Sequence, residues 1–175
     1  MLAKLFPARA ERKNAHLIYY GLVTKARTPF LYADLGVPDT IDGRFDLILL
    51  HLFMVDKRLE AEGAAYVRLR RFIQEAMVRD MDRSFRELGV GDMSVSKEMK
   101  KVGAAWLGRR SAYEEATAEA AAENALMSAI EKNIFRGEKA TGAGELADYV
   151  KKTILSLAEL TFESPRSCVL FPATE

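Results

Sequence analysis

Residues 39–59 read DTIDGRFDLILLHLFMVDKRL, and the reading of this stretch decides the fold. From Leu47 to Val55 every residue except His51 is apolar, and charged residues close the run on both sides. A half-buried strand would alternate, and a surface helix would carry a single apolar stripe. A segment apolar on nearly every side belongs at the centre of a helical bundle, covered by neighbours. Asp42 is read as its N-cap. Asp46 suits the positive end of the helix dipole, Lys57 and Arg58 suit the negative end, and Gly63 is the stop. The predicted helix covers about residues 43–62, roughly 30 Å at 1.5 Å per residue.

Helical periodicity continues on both sides of this segment. A first helix is predicted over about residues 11–25, with Leu17, Ile18, Leu22 and Val23 inward, followed by an irregular stretch, TPFLYADLGVPDT. A third is predicted over about 65–88, with Leu69, Phe72, Ile73, Ala76, Met77, Phe85 and Leu88 on its apolar side, ended by Gly89 and Gly91. A fourth starts near Ser94 or Ser96 and carries Met99, Val102, Trp106 and Tyr113. Residues 111–136, alanine-rich and acidic, read as helical by propensity. A last helix covers about 145–162, and the tail SPRSCVLFPATE is expected to lie extended against the bundle. The expectation is an all-α, single-domain bundle of about six helices over residues 1–175, with a C-terminal helix and tail of about 145–175.

Composition narrows the function. The 175 residues are 49% hydrophobic and 29% charged with a net charge of +1, so bulk electrostatics favours neither nucleic acid nor an acidic membrane. A single cysteine, Cys168, forbids an intrachain disulfide and suits a reducing compartment. The amino terminus MLAKLFPARAERKNAHL lacks a secretory signal's apolar region, and LILLHLFMV is too short to cross a bilayer. A cytoplasmic location follows as the expectation. DTIDGRF fails as a calcium loop, because taking Gly43 as the loop glycine puts Pro38 first and Leu49 twelfth. Phosphate-loop, dinucleotide and zinc-protease motifs are absent. Asp80 and Asp82 point to different sides of their helix and make a poor acid–base pair. No catalytic residue, metal or cofactor is expected.

Three groups of residues remain. Arg44, His51 and Arg58 recur every seven residues and are read as a structural polar seam through the buried helix, hydrogen-bonded to carboxylates such as Asp80 or Asp82. A pH-responsive group or a haem ligand is the alternative for His51. KEMKKVGAAWLGRR supplies Lys97, Lys100, Lys101, Arg109 and Arg110 against Glu98. It is either a solvated helical face or a basic contact surface for RNA, lipid head groups or acidic loops. Gly103 and Gly108 within it cost about 1 kcal/mol each in a helix interior, which close approach of another chain segment or helix packing within the domain explains equally well. Met54, Met77, Met81 and Met99, with Trp106, are core residues or the lining of an apolar groove, since unbranched thioethers repack against varied partners.

Two longer stretches, LGVPDTIDGRFDLILLHLFMVDKRL and DMDRSFRELGVGDMSVSKEMKKVGAAWLGR, closely resemble the ubiquinol–cytochrome c chaperone family. The resemblance runs from about Ala26 to Tyr113, with weaker similarity through the acidic helix after it, which implies a family-like core of about 26–136. It places the family signature on Pro38, Asp39, Asp42, Gly43, Arg44, Phe45, Asp46, His51 and Arg58, then on Asp80, Asp82, Arg83, Gly89, Gly91, Asp92, Lys97, Met99, Lys100, Gly108 and Arg109. The chain departs from the pattern at Ser96, where glycine is usual, and at Trp106-Leu107, where Phe-Tyr is usual. The resemblance implies an all-helical assembly chaperone, not an enzyme, whose client is newly made cytochrome b on its way into the bc1 complex. It implies contact with ribosomes and a small partner subunit in mitochondrial relatives. The long targeting extension of those relatives has no counterpart before Pro29, which suits a bacterial, cytoplasmic protein in peripheral contact with the inner membrane. A homodimer could then replace the partner subunit. The alternative is an RNA- or ribosome-binding helical protein using residues 97–110.

Overall fold

In the computed structural model, which describes residues 7–137, 140–168 and 170, the apolar run lies in helix α3, Ile41–Ala61. Every residue from Asp46 to Asp56 is buried, so the helix is enclosed on all faces through three turns. Its N-cap is Thr40, not Asp42: the Thr40 hydroxyl accepts from the Gly43 amide at 3.1 Å, and its carbonyl accepts from Arg44. A methyl at Gly43 would overlap the Pro38 carbonyl oxygen, so glycine lets the preceding loop fold onto the first turn. The far end stops at Gly63, with φ of 79°.

The described residues form seven α-helices and contain no strand. Besides α3 these are α1, Pro7–Ala26; α2, Pro29–Ala33; α4, Val67–Glu87; α5, Asp92–Ala116; α6, Ala125–Asn133; and α7, Ala143–Ala158, with a 3-10 turn at Ala64–Tyr66. The short helix α2 lies in the stretch read as irregular. Its Pro29 stands at the first helical position, where a missing N–H costs nothing. The expected helix over 111–136 is broken: α5 ends at Ala116 and turns follow to Asn124. Alanine propensity favours a helix there, but Ala118, Glu119, Ala120, Ala122, Glu123 and Asn124 are exposed and bury no face. A short helix without such a face is marginal.

The chain divides into two compact units. The first comprises Met1–Gly21, Leu59–Leu107 and Thr161–Glu175. In it α4 buries Leu69, Phe72, Ile73, Ala76 and Met77, a regular helical stripe, but nothing beyond Met77. Phe85 is only half-buried and Leu88 is exposed, contrary to the expectation; Gly89, at φ 82°, ends the helix as read. On α1, Ile18 and Tyr19 are buried while Leu17 faces solvent. Arg12 pairs with Glu75 at 3.0 Å and Arg68 with the buried Glu11, tying α1 to α4. The tail docks on α1: the Asn14 side-chain amide donates to the carbonyls of Pro165 and Cys168, both at 3.1 Å. Residues 165–167 form a turn instead of running extended.

The second unit comprises Leu22–Arg58 and Gly108–Leu160. Here α3 meets α5 through the Phe53 and Tyr113 rings, 5.5 Å apart, and meets α7 through His51 and Tyr149. A methyl at Gly142 would overlap the Leu35 carbonyl, so the start of α7 lies against the loop after α2.

Candidate functional site

His51 is completely buried. Its Nδ1 is 2.8 Å from the Leu47 carbonyl, which can only accept, so Nδ1 carries the proton. Nε2 therefore accepts from the Tyr149 hydroxyl, also at 2.8 Å. Burial drives the imidazole pKa down to about 4, helped by the Lys25 charge and opposed by the Leu47 carbonyl. The ring is a neutral strut. Its partner is a tyrosine, and the expected carboxylates are engaged elsewhere. Asp80 accepts from Tyr19 and Arg83, each at 2.8 Å, and Asp82 from Arg86 at 2.8 Å.

The seven-residue line does not form one seam. Arg44 pairs with Asp39 at 2.6 Å near the surface. Arg58 donates to the carbonyls of Leu157 and Leu160 at 2.6 and 2.5 Å, tying α3 to the end of α7, where the Leu157 carbonyl also accepts from the Leu160 amide. Each residue has its own task.

The basic stretch is corrected in the same way. Arg109 turns inward and donates to Asp46 at 2.5 Å, and Arg110 donates to the buried Asp56 at 2.8 Å. Arg136, in the left-handed region at φ 59°, lies 2.9 Å from the other Asp46 oxygen and 3.4 Å from Asp42. Burial raises the Asp46 pKa to about 6 against the pull of Arg109 and Arg136. Two of the five cations are thus internal counter-ions. Lys97, Lys100 and Lys101 remain exposed, with Lys101 paired to Glu98 at 2.8 Å. A methyl at Gly103 or Gly108 would meet open space, so close approach does not explain these glycines.

Met54 and Met77 are each 1% exposed and Trp106 is 6%, which makes them core; Met81 and Met99 are half-buried. A concave apolar surface lies elsewhere. In the second unit a groove of about 430 Å³ runs between the end of α5, the turns after it, Leu126 of α6, and Ile154 and Leu155 of α7. Ala116, Ala118, Ala121 and Ala122 line it, with Lys57, Glu123 and Lys151 also bordering it. Leu155 is 67% exposed there. A neighbouring recess of about 560 Å³ shares Glu123 and Lys151 and adds Met127. Sequence reasoning missed this surface because it took the alanine run as continuous helix. The signal available was Leu155, an apolar residue off the buried stripe of α7.

Among the described residues no helix is long and apolar enough to cross a membrane, and no cluster of His, Cys, Asp and Glu could hold a metal ion. The ubiquinol-cytochrome C chaperone family model matches residues 33–165. The chain is similar to the crystal structure of the Cbp3 homolog from Brucella abortus, with 34% sequence identity and a TM-score of 0.80, over 93% of this chain and 91% of that one. No curated protein matches the chain.

Proposed function

The chain belongs to the ubiquinol-cytochrome C chaperone family, and from that premise we propose that it holds newly made cytochrome b during assembly of the bc1 complex. The observation that carries a holding role is the open alanine-lined groove of the second unit. Small side chains admit the backbone of an apolar segment closely, and Leu126, Ile154 and Leu155 supply contact area. Holding needs no nucleotide, cofactor or covalent step, so the protein acts as a chaperone and not as an enzyme.

Met81 and Met99 offer further apolar contact on the first unit. Lys97 and Lys100 meet acidic client loops or lipid head groups at the inner membrane. An RNA- or ribosome-binding reading loses weight, because Arg109 and Arg110 are spent on Asp46 and Asp56.

The test is genetic and spectroscopic. Deleting the gene should lower bc1 content and the cytochrome b absorbance, and the wild-type gene should restore both. Leu155→Asp with Ala121→Asp, which places charge in the groove at exposed and half-exposed positions, should restore neither while folding normally. Normal cytochrome b spectra in the deletion strain would dismiss the proposal.

A further inference from the structure

A second cleft in the same unit has a different chemistry. It encloses about 730 Å³ and is lined by Arg27, Pro29, Tyr32, Ala33, Asp39 and Arg44. Helix α2 and the loop after it bring together Arg27, just past α1, and Arg44, in the first turns of α3. Arg44 uses Nε for Asp39 at 2.6 Å, which leaves its two terminal nitrogens. The Arg27 guanidinium has no hydrogen-bond or ion-pair partner among the described residues; only its backbone amide is bonded, to the carbonyls of Val23 and Thr24. The Tyr32 hydroxyl donates to the Ala26 carbonyl at 2.8 Å, which fixes the ring as part of the wall. Burial raises the pKa of that phenol, while Arg44 and Arg27 pull it down and Asp39 pushes it up, so all three charges reach one point.

Two guanidiniums and one carboxylate leave the cleft with a surplus positive charge. We propose that it binds a phosphate group, held between Arg27 and the free nitrogens of Arg44. The surplus charge calls for an anion. A carboxylate can bridge two guanidiniums, as Asp46 does between Arg109 and Arg136, but a phosphate adds a third acceptor oxygen and up to a second negative charge, so it gains more from two guanidiniums. Pro29, Ala33 and the Tyr32 ring give an apolar wall to whatever carries the phosphate. A nucleic-acid strand fits less well, because it needs a continuous row of cations and the cleft offers only Arg27 and Arg44. The shared chemistry is that of a phosphomonoester or a phospholipid head group. The site is independent of the apolar groove.

Titrating the full chain with inorganic phosphate and with glycerol 3-phosphate, followed by NMR of the arginine Nε–H signals and the amides of residues 27–44, should give saturable shifts confined to the cleft. Arg27→Gln should weaken binding at least roughly tenfold, the loss expected for a charge-assisted contact, with an unchanged circular dichroism spectrum. Arg27→Lys should recover part of it. Flotation with phosphatidylglycerol vesicles, against phosphatidylcholine, separates the sources. Flotation lost in Arg27→Gln identifies a head group, and phosphate binding without flotation identifies a soluble phosphomonoester. No saturable shift, acetate or an acidic peptide binding as tightly as phosphate, RNA alone binding, or an unaffected Arg27→Gln would each overturn the proposal.

Discussion

Replacing His51 with glutamine should change how stability depends on pH far more than it changes stability at neutrality. In the fold the imidazole pKa falls from 6.5 to about 4. Above pH 6.5 the ring is neutral in both folded and unfolded chains, and its contribution is fully present. As pH falls from 6.5 towards 4 the unfolded chain takes up a proton that the buried ring refuses, so stability is lost across that window and levels off below it. A shift of this size corresponds to about 3 kcal/mol. Asp46 works in the opposite sense. Its pKa is raised from 3.8 to about 6, so its contribution is fully present below 3.8 and is lost as pH rises through 6. The two groups therefore offset each other in the wild-type profile. Urea unfolding at half-unit steps from pH 7 to 4 exposes them. Relative to its value at pH 7, the His51→Gln chain should gain about 3 kcal/mol on wild type by pH 4, a midpoint difference of roughly 1–2 M. Parallel profiles for the two proteins would refute the reasoning, because they would mean that His51 titrates alike in both states.

Other substitutions follow from the same contacts. Arg109→Ala strands the fully buried Asp46 carboxylate beside a partly exposed Arg136 and should cost about 3–5 kcal/mol in denaturant unfolding, while Asp46→Leu with Arg109→Met should recover most of the loss. Phe53→Ala opens a cavity beside Tyr113 and should cost about 3–5 kcal/mol. Gly43→Ala should fail to fold or lose most of its stability through overlap with the Pro38 carbonyl. Gly103→Ala, in open space within a helix, should gain up to about 1 kcal/mol, measured by thermal melting.

Local chemistry was largely legible in the sequence. The apolar run of α3, the stripe from Leu69 to Met77, and the stops at Gly63 and Gly89 follow from periodicity and from the left-handed backbone that glycine allows. Pairing across long separations was not. Nothing local says that His51 finds Tyr149, or that Arg109 and Arg110 fold inward onto Asp46 and Asp56, since an Arg next to Lys residues looks like surface until its acid is placed. The methionines misled for a related reason. Met54 and Met77 share the composition of an adaptable groove and the spacing of a core stripe, and spacing prevailed. The groove itself arises where alanine propensity yields to lack of burial after Ala116, a balance that residue type alone does not settle.

The account stands on the alanine-lined groove as the seat of an apolar client segment. A photo-reactive amino acid at Leu155, activated in cells during a pulse of labelled synthesis, tests this directly, with the same probe at exposed Glu60 as control. The expected product is a crosslink to newly made cytochrome b that appears early in the chase and fades as bc1 complex accumulates. Equal capture from Leu155 and Glu60, or crosslinks from Leu155 to ribosomal components alone, would contradict it.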